Sequence, residues 1–159
     1  MPKFVSHSAN ETKQIAEKLA KVVQKTLLQQ IQGRMAHPKS NIFALTGELG
    51  AGKTIFAQGF AKGLGIKEKI ISPTFVLIRQ HQIPNTQKVL FHIDLYRLEN
   101  ITDLKSLGLE EILSNPNNIV LIEWAEKIKD TLPENTTWVY FKTPNEQHRE
   151  IIMNYPAAS

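Results

Sequence analysis

The 159-residue chain contains no cysteine. That absence excludes disulfides, thiolate nucleophiles and zinc-thiolate centres, and is compatible with a reducing compartment. No apolar run approaches the roughly 20 residues of a membrane-spanning helix. Met1 to His7 lacks the apolar core of a signal peptide, so the expectation is a soluble, cytoplasmic protein with no membrane association. Arginine is scarce, at positions 34, 79, 97 and 149 only. Nucleotide kinases usually surround two sets of phosphates with several arginines, so this scarcity counts against that class. The five histidines show no metal-ligand spacing. No internal repeat or low-complexity segment interrupts the chain, and its length suits one domain with a real core.

Charge is modest overall but unevenly placed. Net charge is +4, yet residues 1–97 hold 14 Lys and Arg against 5 Asp and Glu, while residues 98–159 hold 5 against 10. Much of the positive half is Lys13, Lys18, Lys21 and Lys25, which share one predicted helix. They form either a solvated helix face or an electrostatic docking face for a partner or RNA.

What is present in full is Gly47-Glu48-Leu49-Gly50-Ala51-Gly52-Lys53-Thr54, a complete G-x-x-x-x-G-K-[ST] phosphate loop. Ile42 to Leu45 reads as a buried strand feeding it, and Ile55 to Leu64 as the helix behind it. Such a loop turns successive backbone N–H groups inward at a helix N-terminus, which makes a nest for a polyphosphate. Lys53 is expected on the β- and γ-phosphates and the Thr54 hydroxyl in a Mg²⁺ shell. The expected ligands are therefore ATP or ADP with Mg²⁺. The Asn-Lys-x-Asp guanine clamp is missing, which favours adenine over guanine.

Around this unit, Ser8-Ala9-Asn10-Glu11 has the form of a capping box that opens a long amphipathic helix. Gly33 to Asn41 ends that helix. The apolar run after Ser72-Pro73-Thr74-Phe75, through Ile78, and the run Val89 to Ile93 flank Pro84-Asn85-Thr86, which predicts an antiparallel hairpin. A short helix is expected from about Leu109 to Leu113. Ile119 to Ile122 is continuously apolar, as suits a central strand covered on both faces. Thr137 to Lys142 and Glu150 to Asn154 read as two final strands. The expected fold is α/β: a phosphate-loop NTPase domain with a mixed, mainly parallel sheet flanked by helices.

Two strand-end acids could complete the site. Glu123 closes Ile119 to Ile122 in a Walker B pattern and is the better candidate for the magnesium shell. Asp94 closes Val89 to Ile93 and could position or deprotonate an attacking water. The weaker alternative for each is a strand-end acid facing solvent. Thr74 could sense a γ-phosphate from a mobile segment, or belong to a proline turn. Arg97 could act as an internal arginine finger or form a surface salt bridge, and His92 reads as a packed strand residue. Trp124 should lie near the nucleotide pocket or in the core. Asn10, Thr12, Gln147 and Arg149 are polar candidates for the adenine edge.

The order and spacing of Gly47 to Thr54, Ser72-Pro73-Thr74-Phe75, His92-Ile93-Asp94-Leu95-Tyr96-Arg97 and Leu121-Ile122-Glu123-Trp124 resemble the TsaE family over nearly the whole chain. This resemblance implies a small ATPase that supports threonylcarbamoylation of the adenosine beside the anticodon in certain tRNAs. It implies slow hydrolysis until the protein meets its sugar-kinase-like partners TsaB and TsaD. By the same resemblance Lys53 and Thr54 bind nucleotide and magnesium, Glu123 is the second magnesium residue, and Asp94 is essential to hydrolysis. Thr74 and Trp124 carry over with them. Residues Gln29 to Asn41 look like an insertion before the first core strand. A small-molecule kinase and a nucleotide-dependent binding module are the alternatives, because an acid near a γ-phosphate could also deprotonate a substrate hydroxyl.

Overall fold

The computed structural model describes residues 1–31, 41–72 and 76–156. Its frame is a seven-stranded sheet: β1 (Lys3–Ser6), β2 (Ile42–Gly47), β3 (Ile78–Gln82), β4 (Val89–Asp94), β5 (Asn118–Glu123), β6 (Thr137–Asn145) and β7 (His148–Asn154). The spatial order is β1-β7-β6-β2-β5-β4-β3. Neighbours in the central block β6-β2-β5-β4 are all parallel. Antiparallel pairs extend the sheet at both edges, β3 on β4 at one side and β7 on β6 and β1 on β7 at the other. The sheet is therefore mixed, and five of its seven strands run in one direction.

Alternation along the central strands divides the apolar residues between two faces. Phe43 and Leu45 of β2, with Ile119 and Leu121 of β5, join one core that includes Phe56, Phe60 and Leu64 of α2 (Lys53–Gly63) and Ala16, Leu19 and Ala20 of α1 (Ala9–Ile31). Ile42, Ala44, Val120 and Ile122 face the other side. There they meet Leu104 of α3 (Thr102–Ser106), Leu109 of α4 (Leu109–Ser114), and Ala125 and Ile128 of a 3-10 helix over Ala125–Thr131. Both faces of β5 are covered, as its unbroken apolar run predicts.

Helix α1 begins as its sequence indicates: the Glu11 N–H donates to Ser8 Oγ at 3.0 Å. The reciprocal half of the box is displaced by one residue, because Glu11 Oε2 accepts from the His7 N–H at 2.7 Å. Helix α1 then lies close along α2. A Cβ added at Gly63 would come within 2.7 Å of Ala20 Cβ, and one at Gly59 within 2.7 Å of Lys13 Cα, so only glycine allows this approach at both positions.

Several local features differ from the sequence expectation. The hairpin is present, but β3 starts at Ile78, where the predicted apolar run ends. Leu77 sits at φ 65°, a left-handed conformation that a strand residue does not adopt, so the strand begins after it. Strand β1 and helix α3 carry too few buried residues to leave a pattern. Strands β6 and β7 form the expected pair, and β6 runs on to Asn145. Residues 32–40, most of the apparent insertion, lie outside the described residues, as does Thr74.

Candidate nucleotide site

The parallel block directs three chain segments to one edge of the sheet. Strand β2 ends at Gly47 and passes into the phosphate loop, while β4 and β5 end side by side at Asp94 and Glu123, which are register partners. Leu90 belongs to the core beneath α2, so His92 and Asp94, two and four residues further along β4, present their side chains to that same face. Glu123 stands two residues beyond Leu121 of that core and does likewise.

The loop turns through Gly50 at φ 78° and Gly52 at φ 104°, the latter being the N-cap of α2. A Cβ at Gly50 would meet no atom within 4 Å, so that turn borders open space. Lys53 opens the helix. It is buried, and its ammonium donates to the carbonyls of Gly47 at 2.5 Å and Glu48 at 2.8 Å. It also lies 4.0 Å from the centroid of the Trp124 ring, a cation–π contact. Burial pushes its pKa down, and the carboxylates of Glu126, Glu123 and Asp94, in that order, oppose the shift. Trp124 reaches this place because it adopts φ 59° directly after β5, which folds the chain back over the loop. Its ring also packs against Tyr96, with centroids 5.2 Å apart.

Thr54, one residue after Lys53, donates its hydroxyl to Glu123 Oε1 at 2.7 Å and so joins the helix to β5. The other oxygen, Oε2, lies 2.6 Å from His92 Nε2. Asp94 is held as firmly: Oδ2 accepts from the Ser72 hydroxyl and Oδ1 from the Tyr96 N–H, both at 2.9 Å. Glu123 and Asp94 are only 2% and 3% exposed, so neither is a solvent-facing strand end.

A cleft of 340 Å³ is lined by Leu49, Gly50, Gly52, Lys53, Thr54, Ile55, Ser72, Asp94, Tyr96, Glu123 and Trp124. A second, of 220 Å³, shares Gly50, Gly52 and Ile55 with it and continues between the start of α1 and the β6–β7 turn. Together they have the size of an ordinary small-ligand site. Thr12, Gln147 and Arg149 line the second cleft, as do Ser6, His7, Ser8 and His148, which the sequence reading did not single out. The Thr12 hydroxyl is buried and bonded to Ser6 Oγ at 2.7 Å. Asn10 and Glu48 are exposed and line neither of these two clefts; the backbone of Glu48 serves through its carbonyl on Lys53. Ala51 is buried beneath the loop, and its N–H closes a turn on the Glu48 carbonyl. Arg97 is exposed and lines neither cleft.

The donor set fits the expected ligands. Thr54 and Glu123 offer hard oxygen donors beside the phosphate loop, the chemistry a magnesium ion requires. The loop's left-handed glycines and the helix N-terminus suit a polyphosphate. His92 and Ser72 are the residues that motif reasoning undervalued; the signal was the i, i+2 alternation that places His92 on the same face as Asp94.

Fold and site together define a phosphate-loop α/β protein of the NTPase class. The model of one family, Threonylcarbamoyl adenosine biosynthesis protein TsaE, matches residues 6–151, and the chain belongs to that family. A Bacillus subtilis tRNA threonylcarbamoyladenosine biosynthesis protein TsaE is 38% identical over 111 residues, covering 70% of this chain and 67% of its own length. The Treponema pallidum protein of that name is 36% identical, over 77% of this chain and 87% of its own. Its counterpart from Rickettsia felis is 34% identical over 98% of this chain and 82% of its own. The crystal structure of Bacillus subtilis YdiB superposes with a TM-score of 0.72 at 30% identity, covering 98% of this chain and 86% of that one.

Proposed function

We propose that this chain binds MgATP across the two joined clefts and hydrolyses it to ADP and phosphate, in support of threonylcarbamoyladenosine formation in tRNA. The observation that carries this reading is the 2.7 Å bond from Thr54 to Glu123, with Lys53 and Asp94 within the same cleft. The phosphates would lie on the loop of residues 47–54, and the base in the cleft bordered by Gln147 and Arg149. Thr54 and Glu123 would hold magnesium. That ion would supply neutralisation of phosphate charge during phosphoryl transfer.

The chain's own residues account for the remaining steps. Lys53 exchanges its contacts with the Gly47 and Glu48 carbonyls for phosphate oxygens, which frees the face of Trp124. Asp94, fixed by Ser72 and the Tyr96 N–H, orients the attacking water and accepts its proton. Among the described residues no arginine lines the phosphate cleft, and Leu49 at its mouth is 72% exposed. Water is thus poorly excluded and transition-state charge poorly matched, so hydrolysis by the chain alone is slow. The partners TsaB and TsaD complete the site, in the cytoplasm, and contact with tRNA is made through that assembly.

Phosphate release from the purified protein, measured with and without TsaB and TsaD, tests the proposal. Weak basal release that rises with the partners is the expected result. Fast release unaffected by them would overturn the partner-regulated reading, and phosphoryl transfer to a small metabolite would replace it with a kinase.

A further inference from the structure

His92 is fully buried on β4, between Arg79 of β3 and Leu121 of β5 in the strand register. Its Nε2 lies 2.6 Å from Glu123 Oε2, and its Nδ1 is buried with no hydrogen-bond partner. Orphaned buried N–H groups are rare in folded proteins, rarer than acceptors left short of a partner. A carboxylate, moreover, has only acceptors to offer. Both facts select the tautomer in which Nε2 carries the proton and donates it to Glu123. The ring therefore has one polar task, and it is directed at one carboxylate oxygen.

Glu123 is thereby gripped from two sides. Thr54, on the first turn of α2, takes Oε1, and His92, on the neighbouring strand, takes Oε2. The two grips differ in kind. The Thr54 hydroxyl can rotate and can serve as an acceptor or a ligand, whereas the imidazole is enclosed by core and cannot turn aside. The geometry points to His92 as a positioning residue for the proposed nucleotide chemistry. By holding Oε2, it keeps Oε1 and the Thr54 hydroxyl as the pair offered to a divalent cation. It also stops the carboxylate from swinging toward the Lys53 ammonium, whose pairing with Glu123 would compete with both metal and phosphate. This role rests on the MgATP reading above.

Side-chain length gives a discriminating test. The amide nitrogen of glutamine falls near the place of a histidine Nε2, whereas that of asparagine falls near Nδ1. His92→Gln should therefore keep a donor on Glu123 Oε2, while His92→Asn and His92→Leu lose it. Outer-shell partners of a metal ligand typically contribute about 10–100-fold in metal affinity. The readout is ADP affinity, measured calorimetrically as a function of magnesium concentration. In the Asn and Leu variants the magnesium requirement should rise by at least about 10-fold. The Gln variant should stay close to wild type, and all variants should keep similar ADP affinity without magnesium.

Equal magnesium dependence in wild type and the Leu variant, or equal losses in Gln, Asn and Leu, would overturn the positioning role. Imidazole nitrogen spectra of the metal-free wild type provide a second readout that needs no variant to fold. Protonated Nε2 and bare Nδ1 are expected at His92, and the opposite tautomer would also overturn the proposal. If wild-type ADP binding shows no magnesium dependence at all, the proposed magnesium site fails and the inference falls with it, whereas absence of ADP binding would sink the nucleotide reading itself.

Discussion

At the residue scale, Lys53 shows how burial and charge combine. Its pKa is lowered by desolvation in the free protein, with only carboxylates to oppose the shift. A polyphosphate placed on the loop adds negative charge and raises that pKa again, so nucleotide binding at alkaline pH should take up protons. Calorimetry in buffers of different ionisation enthalpy reads this directly; proton release would contradict the assigned contact. Lys53→Ala should lose nucleotide affinity outright. The two acids should separate. In Asp94→Asn the amide oxygen can still accept from the Tyr96 N–H, and the Ser72 hydroxyl can rotate to accept from the new NH₂. MgATP binding should therefore survive while turnover falls by about 10²–10⁴-fold, the usual worth of a general base. Glu123→Gln should instead raise the magnesium requirement, and exchange of these two phenotypes would exchange the roles. Lys53, Thr54, Asp94 and Glu123 were legible because phosphate chemistry demands Lys and Ser/Thr where the loop enters its helix and acids at neighbouring strand ends. Ser72 and His92 were visible in the motif blocks but their tasks were not, since each acts on a side chain of another segment; only the i, i+2 spacing of His92 and Asp94 hinted at a shared face.

At the element scale, the pairing of α1 with α2 depends on Gly59 and Gly63. Gly63→Ala would drive a methyl group into Ala20 and the α1 backbone, and overpacking of this kind typically costs about 1–3 kcal/mol. Thermal unfolding should show a clear drop in melting temperature, despite the better helix propensity of alanine; an unchanged melting temperature would mean that α1 can move away freely. The elements that sequence reading located well, β2, α2, β4 and β5, are those with strong periodicity or unbroken apolar runs. Strand β3 was displaced because Ile78-Arg79-Gln80-His81-Gln82 forms an edge strand with a mostly exposed burial pattern. Strand β1 escaped notice for a similar reason, with only Ser6 buried. Edge strands are held by backbone bonds to one neighbour, and side-chain patterning records little of that.

At the scale of the whole molecule, the basic surface of α1 is partly neutralised. Lys21 and Lys62 both approach Glu17, at 3.1 and 3.8 Å. Lys18 and Lys25 remain exposed on the helix. If α1 steers the encounter with partners, replacing Lys18 and Lys25 by Glu should lower partner-stimulated phosphate release at low salt. The difference from wild type should shrink as salt screens the field, and basal hydrolysis should not change. A deficit that persists at high salt would indicate a direct packing contact instead.

The pairing of β1 with β7 sets an order of events during synthesis. Val5 lies opposite Glu150, so β1 must wait for β7 before it has this neighbour, and a closure of that length is slow as well as entropically costly. The same two regions, Ser6 to Thr12 and Glu146 to Arg149, form the walls of the second cleft. If the base lies in that cleft, as proposed, a nascent chain halted after Glu123 would already carry its phosphate loop and both acids, yet would lack the wall of residues 146–149 that would meet the base. On that proposal, a choice between bases becomes possible only when β7 is laid down against β1.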